Sequence, residues 1–221
     1  MTLAAANKNW KNVAIGDFFL FPYPAADPGV SNDLRLNAFF AMLCADPIAR
    51  KDLKAGITPY GTMDDSGANF KVKVQTQDFP YNDGSPKEKV ETGVEEASVE
   101  LSIYEADPGH WADIWGLQAA DILTIAATVG KAARQAALMG APNNNKKYVA
   151  FFRGRSALVP GEFDYYLWPR VSFGGDPDIK LSRKDKLQLK LTLNVLGCLY
   201  LKATDGSPVF GVPEIATAPG V

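Results

Sequence analysis

"KDKLQLKLTLNVLG", residues 184–197, alternates with a period of two. Leu187, Leu189, Leu191, Leu193 and Val195 share one side, and Lys186, Gln188, Lys190, Thr192 and Asn194 share the other. That alternation is the pleat of a half-buried β-strand, with one face for a core and one for water or a neighbour. It sets the expectation for the whole chain: a mainly β protein whose strands carry two unlike faces.

Moving outward, the last third is read as strand throughout. "KKYVAFFRGR" and "EFDYYLWPRVSF" precede the opening stretch, and "CLYLKA" continues it after Gly197. "GGDPD" and "ATDGSP" are turn clusters. Toward the N-terminus, "VAIGDFFLFPY" (13–23) is a first strand closed by Pro22 and Pro24. Residues 34–44 fit either a strand or a helix, because Leu36, Phe39, Phe40 and Leu43 also lie on one helical face. "DPIARKDLKAG" is expected to form a short helix capped by Asp46, opened by Pro47 and stopped by Gly56. A polar loop (57–68) follows.

Two matched strands come next. In 69–77, Phe70, Val72, Val74 and Thr76 share a face, with Lys71, Lys73, Gln75 and Gln77 opposite. In 93–105, Ala97, Val99, Leu101 and Ile103 point inward, with Ser98, Glu100, Ser102 and Tyr104 outward. Lysines facing glutamates across neighbouring strands stabilise by about 0.2–1 kcal/mol per pair. The link 78–92 is too long for a tight turn and suits an extended hairpin arm. "DPGHWADIWGLQ" predicts a helix that buries Trp111, Ile114, Trp115 and Leu117. Residues 121–129 read as a strand and 130–140 as a short Ala-rich helix.

Composition narrows the function classes. The chain has 221 residues, 47% hydrophobic and 22% charged, ordinary values for one globular domain. A net charge of −2 lacks the basic excess of a dedicated nucleic-acid binder. No apolar run reaches the roughly 18 residues of a membrane span, and "MTLAAANKNWKN" has no apolar signal core. Cys44 and Cys198 are the only cysteines, read as two reduced thiols, and His110 is the only histidine. Those three cannot form a closed four-ligand metal site, and no nucleophile–base pairing is evident. "MDDSG" and "GGDPDIKLS" lack the spaced ligands of a calcium loop. No cofactor is expected, and the chain is not read as an enzyme.

"KKYVAFFRGRSALVPGEFDYYLWPRVSFGGDPDIKLSRKDKLQLKLTLNVLGCLYL" resembles the closing strands of the tail tube proteins (major tail proteins) of long-tailed phages. "VETGVEEASVELSIYEADPGHWADIWGL" is similar to the strand-then-short-helix unit at the middle of such proteins. Residues 34–68 and 130–140 have no counterpart. The resemblance implies a tail-tube-like β-barrel or β-sandwich with one or two short flanking helices, spanning 1–221 as a single domain. It further implies hexameric rings that stack into a hollow tube through which the genome leaves the capsid. The partners so implied are other copies of the chain and the tape measure, tail initiator and terminator proteins. The resemblance also implies that DNA passes without specific binding, that no membrane is involved, and that the protein is made in the host cytoplasm and resides in the virion tail. The family brings no catalytic residues.

Such a bore must not grip phosphates, as a lysine-lined one would. Glu95, Glu96, Glu100, Ser98, Ser102 and Gln75 are therefore the expected lumen-facing residues. Lys186, Lys190, Arg153, Arg155, Tyr81 and Asn82 are expected between subunits. The N-terminal arm (1–12), the loops 57–68 and 78–92 and the tail (212–221) are the expected projecting segments, ordering on assembly. A competing reading is a monomeric or dimeric β-barrel module that holds a ligand or glycan on Tyr165, Tyr166 and Trp168. A carboxylate-only glycosidase is a third.

Overall fold

The computed structural model describes residues 16–79, 88–104, 113–114, 117, 119–138, 146–180 and 188–217. In chain order these form β1 (Asp17–Pro22), α1 (Asn32–Leu43), β2 (Thr62–Phe79), β3 (Glu88–Tyr104), β4 (Ile122–Ile125) and β5 (Arg134–Ala137). After them come β6 (Tyr148–Arg155), β7 (Phe163–Lys180), β8 (Gln188–Val195) and β9 (Val212–Glu214). The fold is mainly β, with antiparallel pairing and a short helix, as the alternation predicts.

Seven strands make one sheet in the order β1-β6-β7-β8-β3-β2, with β9 also on β7. The decisive stretch behaves as expected: Leu189, Leu191, Leu193 and Val195 of β8 are buried, while Lys190 is exposed. Leu187 and Lys186 lie outside the described residues. The buried row joins Phe18, Met63, Val99, Leu101, Ile103, Ala150, Trp168, Val171 and Phe173, so six strands fill one inner core. The sheet curls until its ends meet: the Tyr60 N–H, just before β2, donates to the Phe18 carbonyl of β1 at 2.7 Å. The Phe18 and Tyr60 rings stand edge to face beside that bond, 6.3 Å apart.

β1, β6 and β7 are covered on their outer face as well. Phe19, Val149, Phe151, Tyr165 and Leu167 point outward into a second core with Phe39, Phe40 and Leu43 of α1 and with Cys44, Cys198 and Leu201. The stretch 34–44 is thus resolved as helix through Leu43, with Cys44 as its extended C-cap. Ser31 caps it through its side-chain oxygen, which accepts from the Leu34 N–H at 3.4 Å. A bulge in β7 lets the two cores coexist. Ala150 pairs with Trp168 and Tyr148 with Val171, so one extra residue near Pro169 keeps both Trp168 and Val171 inside.

Several expectations change. Asp46 caps a single turn rather than a helix, accepting from the Ile48 and Ala49 N–H groups at 2.8 and 3.0 Å. Arg50 then turns left-handed at φ 56° and ends it. Half of the expected loop 57–68 is strand, since β2 begins at Thr62 and carries a bulge between Met63 and Ala68. "GGDPD" is a bulge within β7, between Gly174 and Asp178, instead of a turn between strands. "CLYLKA" leaves the sheet and becomes a strap over the outer core, buried at Cys198 and Leu201.

The tail is docked at 212–214 instead of projecting, because β9 pairs with Tyr165–Leu167 of β7. The Ala-rich stretch is the strand β5, hairpinned to β4, so the helix expected there is absent. The expected helix at 107–118 lies largely outside the described residues, but Ile114 and Leu117 are buried as anticipated. The N-terminal arm 1–12 and the whole of 80–87, between β2 and β3, also lie outside them.

Candidate assembly surface

The wet face of β2, β3 and β8 forms one surface. Lys71 stands opposite Ser98, Lys73 opposite Glu96, Ser102 opposite Lys190, Glu100 opposite Thr192 and Ser98 opposite Asn194. The expected lysine–glutamate pairing occurs on the diagonal, where Lys71 Nζ donates to Glu100 Oε1 at 2.7 Å. That bond, with the fields of Lys71 and Lys190, holds the Glu100 carboxyl below the usual carboxylate range. The bulge at Gly67 opens a groove of about 380 Å³ lined by Asn69, Glu100, Ser102 and Lys190. Among the described side chains this face carries Lys71, Lys73 and Lys190 against Glu96 and Glu100, an excess of one cation set among Ser, Thr and Asn.

Ser98, Ser102, Glu96 and Glu100 therefore share the outer face of the β2-β3-β8 sheet. Glu95 is the unpaired residue of a β3 bulge, because Lys73 pairs with Glu96 and Val74 with Val94. Gln75 pairs with Gly93 in the same ladder, and the side chains of Gln75 and Glu95 are outside the described set. Tyr81, Asn82 and Lys186 also lie outside it.

The two strands run far past the core. β3 pairs with β8 only from Ser98 to Tyr104, while its pairing with β2 continues to Phe79 and Glu88. Residues 73–79 and 88–96 are therefore a two-stranded arm, the extended hairpin that the long link suggested. Val72, expected inward, is 45% exposed at the base of the arm, where Ala97 directly opposite it is still buried in the inner core. β2 is the last strand in the sheet order, so its outer edge offers unpaired backbone groups among the described residues.

The arginines of "RGR" divide. Arg153 Nη2 donates to Asp17 Oδ2 at 3.2 Å and its guanidinium lies 4.2 Å over Phe163, whereas Arg155 is exposed at the end of β6. A second pair pins β9: Arg50 Nε donates to Glu214 Oε1 at 2.8 Å. Close by, the Tyr165 hydroxyl donates to the Arg50 carbonyl at 2.7 Å. Sequence reasoning missed this pairing, since its partners are far apart in the chain and only the docking of β9 brings them together.

The aromatic platform of the competing reading does not assemble. Tyr165 is buried under α1, while Tyr166 and Trp168 point to the opposite face and pack on Phe70. Strand alternation separates neighbours in this way, and both Tyr165 and Trp168 are buried. Among the described residues no three His, Cys, Asp or Glu side chains gather to hold a metal ion, and no helix is long and apolar enough to cross a membrane. Comparison with protein-family models and with curated proteins finds no match.

Proposed function

We propose that this chain is a structural subunit that associates with copies of itself into rings, hexameric by the resemblance to tail tube proteins, that stack into a hollow phage tail tube. The observation that carries the reading is the β2–β3 arm. It leaves the core as a two-stranded ribbon with a free edge, and a two-stranded ribbon is at best marginally stable alone in water. Contact with another subunit supplies what the arm lacks. The face on which Glu100 is bonded to Lys71 and lies in the field of Lys190 has only a small cationic excess, which suits a wall past which DNA slides. The curled inner core gives each subunit the rigid body that such a ring needs.

Negative-stain electron microscopy of the purified chain, alone and with tail initiator components, tests this. Rings or hollow tubes are expected. A chain that stays monomeric even with initiator components contradicts it.

A further inference from the structure

The curled sheet has a seam that no ladder closes. Its order runs from β1 to β2, and among the described residues those two ends share no strand pairing. They meet through the Tyr60 N–H on the Phe18 carbonyl, at 2.7 Å, and through the edge-to-face rings of the same two residues. A barrel with a continuous ladder has no such joint. Closure here therefore rests on local contacts at the seam.

Asp113 lies at this joint. It comes from the segment between β3 and β4, and its carboxylate takes a hydroxyl from each side. Tyr148, in β6, donates to Oδ1 at 3.1 Å, and Tyr60, leading into β2, donates to Oδ2 at 3.4 Å. β6 is the neighbour of β1, so the two donors approach from opposite ends of the sheet order. Both tyrosines are buried in the inner core, Tyr60 against Phe18 and Tyr148 against Phe173. Burial, and then the charge of Asp113, keep the Tyr148 hydroxyl protonated far above its ordinary range, so it remains a donor. Hydrogen bonds to a charged acceptor are the stronger kind.

The residues that follow Asp113 are seated at the same place. Ile114 is buried in the inner core and Leu117 is buried as well. The Leu117 carbonyl accepts from Lys146 Nζ at 3.2 Å, two residues before Tyr148. Asp113 is thereby anchored next to both tyrosines.

We infer that Asp113 is a clasp on the seam: one carboxylate, holding the Tyr60 and Tyr148 hydroxyls together, keeps the two ends of the sheet closed over the inner core. The clasp acts within a single copy and is independent of self-assembly. Its loss opens the joint at Tyr60, while β8, laddered on both edges, stays paired.

Amide hydrogen exchange of the full-length chain tests the clasp, resolved to single amides by fragmentation in the mass spectrometer, with the β8 amides as internal reference. Asp113→Ala is expected to speed exchange of the Tyr60 amide about tenfold or more relative to β8, because its bond to Phe18 then opens locally. Tyr148→Phe keeps the ring against Phe173 and removes only the hydroxyl, so a smaller rise at Tyr60 is expected. That variant also keeps the test readable where Asp113→Ala does not fold. The two substitutions combined exchange no faster at Tyr60 than Asp113→Ala alone, since both remove the same contact. A Tyr60 amide unchanged relative to β8, in Tyr148→Phe or in a folded Asp113→Ala, overturns the clasp. Fully additive effects of the two substitutions also overturn it, because the two groups then act apart.

Discussion

Lys71 and Glu100 are joined at 2.7 Å although neither stands directly opposite the other: Lys71 faces Ser98 and Glu100 faces Asn69. The diagonal bond takes one lysine out of circulation and leaves Lys190 within the field of the same carboxylate. Glu100→Gln therefore frees two cations on one face. On a heparin column the variant is expected to elute at higher salt than the wild type, as phosphate-type binding is salt-dependent. Equal elution would show that Glu100 does not control the charge of this face.

Acid acts on the same bond. Glu100, Asp27 and Asp46 all have carboxyls held below their ordinary values, by Lys71, by Arg35 and by the Ala49 and Ile48 N–H groups respectively. A depressed folded-state pKa contributes stability that is fully present above the unfolded value, near 4, and lost as pH falls through the folded one. The urea midpoint is expected to be flat from about pH 7 to 5 and to drop below about pH 4. A midpoint that rises on acidification would contradict this assignment. Since these groups are exposed, added salt is expected to blunt the effect.

The two cores predict where truncation hurts. Leu191→Ala in the inner core is expected to cost about 2–5 kcal/mol, and Phe40→Ala in the outer core about 3–5. Thr192→Ala, one residue from Leu191 but on the wet face, is expected to stay within about 0.5 kcal/mol. Chemical denaturation of the three variants checks the contrast. Comparable losses at 191 and 192 would mean that β8 is not two-faced.

The docked strand β9 makes its own prediction. Glu214→Ala breaks the bond to Arg50 at 2.8 Å and loosens β9 on β7. Limited proteolysis is expected to cut within 199–217 faster than in the wild type, with a stability loss on the order of 1 kcal/mol. An unchanged cleavage rate would show that strand pairing alone secures the tail.

β8 was legible because it buries one face, and burial writes a period of two into its residues. β6 and the start of β7 bury both faces, and they read instead as short apolar and aromatic runs bounded by turn residues. Bulges were not legible. Nothing in "GGDPD" separates a bulge within a strand from a turn between strands, since Gly and Asp serve both. The Ala-rich stretch misled for a related reason. Alanine favours helix locally, but the turn at Val129 and Gly130 pairs Arg134–Ala137 with the β-branched run Ile122–Ile125. The strap escaped notice because "CLYLKA" alternates like a strand yet lies across the sheet. Of the candidate surface, the charge pattern on β2 and β3 was readable, while its diagonal pairing depended on a register that only the folded sheet fixes.

The proposed function is that this chain builds tubes from copies of itself with the help of its β2–β3 arm. Negative-stain microscopy of the full chain with tail initiator components tests it most directly. Hollow tubes of stacked rings are the predicted result, and a field of single monomers under those conditions would contradict it.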